Sequence, residues 1–162
     1  MDVSERIVVI GVGNEYRRDD GVGWAVVARL AEQATGSPLP AGVALRRCDG
    51  DPARLIALWD AADLAVVVDA AHAHPGCPGR VHRLELDAER LTPPGGRTSS
   101  HGLGLGEAVE LARVLDRLPG RLVVYAVEGA DTGLGNGLSG PVAAAVEPLA
   151  RRISREIAPR AH

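Results

Sequence analysis

The chain has 162 residues, so one domain of ordinary size is expected over residues 1–162. Hydrophobic residues make up 46% and charged residues 24%, a balance typical of globular proteins rather than disordered chains. A net charge of -3 and an aromatic content of 2% rule out a strong case for nucleic-acid binding, which needs a clustered basic surface or stacking side chains.

The lack of a recognisable targeting signal and the low cysteine content favour a cytoplasmic location. No apolar run reaches the ~18 residues needed to span a bilayer, so no membrane association is expected. Residues 1–6 lack the basic region and cleavage site of a signal peptide. Two cysteines, Cys48 and Cys77, do not make a disulfide framework.

The first half of the chain alternates strand and helix patterns. The predicted elements are a strand over 7–10, a helix over 22–33, a strand over 43–47, a helix over 51–62 and a strand over 64–68. Asp51-Pro52 indicates a helix start, because Asp caps free N–H groups and Pro fits the first turn. The strand over 64–68 is wholly aliphatic and ends in Asp69.

The second half departs from this alternation. Its predicted elements are a strand over 81–86, a helix over 103–118, a strand over 121–127 and a last helix from about 139. Residues 70–80 hold two prolines and two glycines without a helical pattern, so the strand over 81–86 has no crossover helix. It is therefore predicted to be antiparallel and at an edge. Pro148 is expected to kink or split the last helix.

Together these elements predict an α/β fold. It is a three-layer sandwich with a five-stranded, mostly parallel sheet, one antiparallel edge strand and helices on both faces. In such sheets the functional site lies beyond the carboxyl ends of the strands, where the strand order reverses.

The glycine-rich segment Gly11-Val12-Gly13 follows the first strand but does not match a dinucleotide fingerprint. Tyr16 stands where the third glycine is required. Asp19 and Asp20 would also repel a pyrophosphate at the helix start. One of the two aspartates is expected to cap the helix, which leaves the other for metal binding or acid–base chemistry.

Three residues are candidate metal ligands: Asp20, Asp69 and His101. Asp69 is placed at the mouth of the sheet, and the long loop over 87–100 can return His101 to the same end. Two carboxylate oxygens and one imidazole nitrogen suit a borderline divalent ion, and among these Ni²⁺ binds more tightly than Mn²⁺, Fe²⁺ or Co²⁺. Each residue also has an ordinary structural interpretation, as a turn residue for Asp69 and as a helix-start residue for His101.

A second cluster offers softer ligands. His72, His74 and Cys77 follow Asp69 within a short segment, but their spacing matches no zinc pattern. No Ser-His-Asp or Cys-His arrangement is evident, and Ser139 is interpreted as a helix N-cap. No role is assigned to the remaining histidines, His82 and His162.

Four sequence blocks, in this order, resemble the hydrogenase maturation endopeptidases. The blocks are Gly11-Val12-Gly13-Asn14 through Asp19-Asp20-Gly21-Val22-Gly23, Val66-Val67-Val68-Asp69-Ala70, Ser99-Ser100-His101-Gly102-Leu103-Gly104-Leu105, and Gly137-Leu138-Ser139. They span nearly the whole chain. The chain departs from the family pattern at Glu15, where a hydrophobic residue is common, and at His72 and His74.

The resemblance implies an activity and a set of site residues. Members of the family trim the C-terminal extension from the large-subunit precursor of nickel–iron hydrogenases, and they check that nickel is already loaded in that substrate. The metal-holding positions fall on Asp20, Asp69 and His101, with supporting roles expected for Asp49 and Asn14. A compact α/β fold and a monomer are also implied.

The expected function is therefore a nickel-dependent processing endopeptidase in the cytoplasm. Nickel comes from the substrate, and other divalent ions can occupy the site. The sequence assigns no catalytic nucleophile or general base. The alternative is a non-catalytic, metal-sensing chaperone or binding module for the same large subunit.

Overall fold

Strands and helices alternate through most of the computed structural model, which describes residues 5–73, 75–87 and 103–159. The elements are β1 (Ile7–Val12), a 3-10 turn (Arg18–Gly21), α1 (Val22–Gly36), β2 (Val43–Cys48), α2 (Pro52–Trp59), β3 (Leu64–Ala71), β4 (Val81–Asp87), α3 (Leu103–Leu115), β5 (Arg121–Glu128) and α4 (Gly140–Glu156). The order of strands in the sheet is β2-β1-β3-β5-β4. All neighbours are parallel except β4, which pairs antiparallel with β5 at the edge, as predicted.

Helices cover both faces of the sheet, so the predicted three-layer sandwich is confirmed. Successive strand residues point to opposite faces, and β1 and β3 are buried along their whole length. One core lies between the sheet and the pair α1 and α4, and it includes Val9, Val66 and Val123. The other core lies under α2 and α3 and includes Ile10 and Val67.

Of the two outcomes predicted for Pro148, a kink or a split of the last helix, the split is wrong, because α4 runs unbroken from Gly140 to Glu156. Pro148 lacks the N–H that would bond to the Ala144 carbonyl, and both residues lie on the exposed side of the helix. Water can satisfy that carbonyl there. The opposite side stays packed through its buried residues Val142, Leu149, Ala150 and Ile153.

Two helices end earlier than predicted, α2 at Trp59 and α3 at Leu115. In each case a non-glycine residue follows with left-handed backbone, Ala61 with a φ of 62° and Asp116 with a φ of 56°. A right-handed helix cannot continue through such a residue.

The strand β3 is longer than predicted, and this decides where Asp69 lies. Its pairing with β1 ends at the Gly11–Val68 pair, whereas its pairing with β5 continues to Ala71 and Glu128. Asp69 is therefore inside β3, at the first position beyond its register with β1. No helix in the described part of the chain is long and apolar enough to cross a membrane.

Candidate metal site at the carboxyl edge of the sheet

Glycines bring the start of α1 directly against the ends of β1 and β3. A Cβ built on Gly23 would lie 2.3 Å from the carbonyl oxygen of Val68 and 2.8 Å from the amide nitrogen of Val12. A Cβ on Gly11 would lie 2.3 Å from the carbonyl oxygen of Gly23. These contacts leave no room for a side chain, so the glycines are explained by close packing of helix on sheet.

The loop after β1 folds back on the turn that carries Asp20. Gly13 has a φ of 143°, and a Cβ there would lie 1.9 Å from the Asp20 carbonyl oxygen. The backbone N–H of Asn14 donates to Oδ2 of Asp20 at 3.0 Å and approaches the Asp20 carbonyl oxygen at 3.3 Å. Asp20 is thereby held beside the carboxyl ends of β1 and β3.

Asp69 is a buried carboxyl, with 6% of its surface exposed. Its Oδ1 accepts a hydrogen bond from the N–H of Ala70 at 2.8 Å. Burial raises the pKa of Asp69 to about 7; the Ala70 hydrogen bond opposes the rise, and the nearby charge of Asp20 adds to it. Asp20 and Asp69 are thus close enough for their charges to interact, and their role as metal ligands stays a prediction.

Asp19 does not cap α1, and neither does Asp20, so the capping prediction is wrong. The N-cap position of α1 is Gly21, without a side-chain cap. The 3-10 turn before α1 directs the Asp19 side chain away from the helix, where it accepts hydrogen bonds from Ala130, Asp131 and Ser139. Burial alone would raise the pKa of Asp19, but these hydrogen bonds hold it below its ordinary value.

The third predicted ligand, His101, lies outside the described residues, so its position stays a prediction. Within residues 5–73, 75–87 and 103–159, no three His, Cys, Asp or Glu side chains are close enough together to hold a metal ion. What the structure brings together is the carboxylate pair of Asp20 and Asp69.

The two residues predicted to support the site shape its loops. Asp49 follows β2 on the same edge of the sheet and is exposed. Its carboxylate accepts from the N–H of Asp51 at 3.1 Å and lies 3.9 Å from Nη1 of Arg54. Oδ1 of Asn14 accepts from the N–H of Tyr16 at 2.9 Å. These contacts order the segments that follow β1 and β2.

Only His72 and Cys77 of the rival ligand cluster lie within the described residues. His72 and Cys77 are exposed, and His74 lies outside the described residues. The backbone N–H of Cys77 donates to Oε1 of Glu128 at 2.9 Å, and Nε2 of His82 lies 2.6 Å from Oε2 of the same carboxylate. These contacts keep the pKa of Glu128 below its ordinary value.

Sequence reasoning assigned no role to Glu128 or His82. The available signal was a carboxylate at the end of an aliphatic strand, the same signal that marked Asp69. The structure places Glu128 at the carboxyl end of β5, next to the end of β3, where it ties down the segment leading into β4.

Two side chains could in principle serve as nucleophiles, Cys48 and Ser139, but their environments do not favour this role. Burial raises the pKa of the Cys48 thiol, so the reactive thiolate is disfavoured. Ser139 stands at the N-cap position of α4, as predicted, but its hydroxyl donates to Oδ2 of Asp19 at 2.9 Å instead of capping the helix.

Comparison with known proteins gives one consistent result. The family model described as hydrogenase maturation protease matches residues 50–156. The hydrogenase 2 maturation protease of Escherichia coli (strain K12) is 29% identical over 150 residues, covering 91% of this chain and 88% of that protein.

Solved structures agree with that match. The hydrogenase maturating endopeptidase HybD from Escherichia coli has a TM-score of 0.70 at 25% identity, covering 91% of this chain and 89% of its own. The [NiFe] hydrogenase maturation protease HycI from Thermococcus kodakarensis KOD1 has a TM-score of 0.67 at 28% identity, covering 94% and 92%.

Proposed function

The chain belongs to the hydrogenase maturation protease family, and from this premise we propose that it removes the C-terminal extension of a nickel–iron hydrogenase large-subunit precursor. As a member of that family it is a hydrolase that cleaves a peptide bond. The observation that carries the proposal is the buried carboxyl of Asp69 beside Asp20, at the edge of the sheet where functional sites of this architecture lie.

The carboxylate pair suits a divalent cation. Within the described part of the chain, the only hydrogen bond to the Asp69 carboxylate comes from Ala70. A buried charge with so few partners is costly, and a second negative charge nearby raises that cost. A cation between Asp20 and Asp69 offsets both costs, and an imidazole from His101 completes a mixed oxygen and nitrogen set.

In this proposal the cation is nickel carried by the precursor. The nickel-loaded end of the large subunit binds to Asp20, Asp69 and His101. Asp49 and Asn14 order the flanking loops. A precursor without nickel brings no cation to compensate the carboxyl groups of Asp20 and Asp69, so it docks poorly. Selection for the loaded substrate then follows from the charges of the chain itself.

The chain's part in the reaction is binding and orientation. Bound nickel supplies a positive charge that polarises a carbonyl or lowers the pKa of a water. Asp69, with a pKa of about 7, releases its proton when a cation approaches, because the cation favours the ionised carboxylate. Asp20 is held by the N–H of Asn14, and it orients the nickel-loaded precursor when this binds.

The test incubates the purified protein with nickel-loaded and nickel-free precursor and follows the large-subunit mass. We expect shortening of the loaded precursor alone. Asp20→Asn and His101→Ala should each abolish shortening, while the double variant His72→Ala, His74→Ala should process normally as the matched control. A stable complex without shortening would instead support a non-catalytic, metal-sensing chaperone.

The remaining parts of the proposal concern assembly and location. The protein acts as a monomer on one precursor molecule, which light scattering during size-exclusion chromatography measures directly. It works in the cytoplasm, where fractionation of cells should recover both the protein and the unprocessed precursor.

A further inference from the structure

Asp19 is a buried carboxylate that the proposed mechanism does not use. It is fully buried and immediately precedes the candidate ligand Asp20. Its Oδ2 accepts from the N–H groups of Ala130 at 2.7 Å and Asp131 at 2.9 Å, and from the hydroxyl of Ser139 at 2.9 Å. Its Oδ1 accepts from the N–H of Ser139 at 2.7 Å. One side chain therefore satisfies donors at both ends of the loop over 129–139.

Backbone hydrogen bonds fasten the same two segments together. The N–H of Asp19 donates to the carbonyl of Asp131 at 2.8 Å, and that of Arg18 donates to the carbonyl of Gly135 at 3.1 Å. The N–H of Gly135 donates in return to the carbonyl of Tyr16 at 2.9 Å. The turn that carries Asp20 is thus attached along its length to a loop more than 100 residues away in sequence.

The turn needs this support. Arg18 has a φ of 45°, in the left-handed region that non-glycine residues rarely adopt. Such strain persists only where the surroundings impose it. Asp20 itself is held by the N–H of Asn14, which meets both its side chain and its carbonyl, and its own N–H donates to the carbonyl of Arg17 at 3.0 Å. Those contacts lie within residues 14–20, whereas Asp19 joins this segment to the distant loop over 129–139.

We propose that Asp19 is a positioning residue for the processing reaction: its carboxylate clamps the loop over 129–139 onto the turn and thereby fixes Asp20 at the site. The inference rests on the proposed function for its catalytic consequence but not for the clamp itself. A carboxylate suits the task because both of its oxygens are acceptors. In Asn, an NH₂ group replaces one of these oxygens. Because this group cannot accept a hydrogen bond, it would face the backbone N–H donors unpaired.

Hydrogen–deuterium exchange tests the clamp without any substrate. In Asp19→Asn we expect exchange to rise by ~10-fold or more in peptides covering both 14–20 and 129–139, with the strands of the sheet unchanged. Ser139→Ala, which keeps the backbone N–H to Oδ1, should give a smaller rise in the same two segments. Faster exchange confined to 129–139, with 14–20 as protected as in the wild type, would overturn the proposal.

Processing kinetics test the catalytic consequence. With nickel-loaded precursor, Asp19→Asn should lower kcat/KM by ~10- to 100-fold, because a misplaced Asp20 weakens both the docking of the precursor and the reacting geometry. The control is a substitution of Ile153, which lies in the core away from the site. Of Ile153→Val and Ile153→Ala, the variant whose urea midpoint is nearer to that of Asp19→Asn is used.

The control separates positioning from simple loss of stability. An Ile153 variant of equal stability should keep the wild-type kcat/KM, and an equal fall in both variants would refute the positioning role. If the wild type itself does not process the precursor, the proposed function fails, while the exchange experiment still decides whether Asp19 clamps the turn.

Discussion

Replacing Asp69 with Asn should stabilise the metal-free protein at neutral and alkaline pH. Burial raises the pKa of this carboxyl from an ordinary value of 3.8 to about 7. The folded chain therefore binds the proton more tightly than the unfolded chain does, and stability is lost as the pH rises between these two values. Each pKa unit corresponds to about 1.4 kcal/mol, so the ionised carboxylate lowers the free energy of unfolding by about 4 kcal/mol.

The pH dependence gives a sharper test than stability at one pH. For a pKa of about 7 in the folded state, the contribution of Asp69 falls by about 2.5 kcal/mol between about pH 5 and about pH 8. Asn has nearly the same shape, its carbonyl oxygen can still accept from the N–H of Ala70, and it does not titrate. The difference in stability between variant and wild type should therefore grow by that amount over the interval.

The assay is urea unfolding of both proteins in a chelator across this pH range. Asp60→Asn, at an exposed carboxyl, is the matched control and should leave the pH dependence as in the wild type. If Asp69→Asn and the wild type keep a constant difference within about 0.5 kcal/mol from about pH 5 to about pH 8, the reasoning from burial is refuted. A buried carboxyl that lowers the free energy of unfolding is typical of a residue kept for function rather than for stability.

Three further predictions concern other parts of the structure. Gly23→Ala should destabilise the fold by about 3 kcal/mol or more in thermal or urea unfolding, since a Cβ there meets the Val68 carbonyl at 2.3 Å. Gly36→Ala, where nothing lies within 4 Å, is its control and should be neutral or slightly stabilising; equal losses in both would contradict the close packing. Asp51→Ala should cost about 1 kcal/mol through loss of the helix cap, and an unchanged urea midpoint would argue against that cap. The double variant His72→Ala, His74→Ala should bind nickel as the wild type does in titration calorimetry, and a lost binding event would revive the rival cluster.

Much of the fold was predictable because local patterns determine it. Aliphatic runs marked β1 and β3 as buried strands, and a connection without a helical pattern marked β4 as antiparallel. The start of α2 was equally local: Oδ2 of Asp51 accepts from the N–H of Arg54 at 3.2 Å, as the Asp-Pro pair indicated.

The features that sequence reasoning missed depend on distant parts of the chain. Asp69 was predicted just beyond its strand, but pairing with β5 continues after pairing with β1 has stopped. One of Asp19 and Asp20 was expected to cap α1, yet the Asp19 carboxylate bonds to residues 130, 131 and 139 instead. Periodicity and capping rules describe neighbours in sequence, so they cannot indicate which distant N–H groups a carboxylate will meet.

The most direct test of the central claim is anomalous diffraction from crystals soaked in nickel or cadmium. We expect one dominant peak that lies within about 2.0–2.3 Å of three atoms. These are a carboxylate oxygen of Asp20, a carboxylate oxygen of Asp69 and a ring nitrogen of His101. A peak held by His72, His74 or Cys77, with the two aspartates uncoordinated, would contradict it.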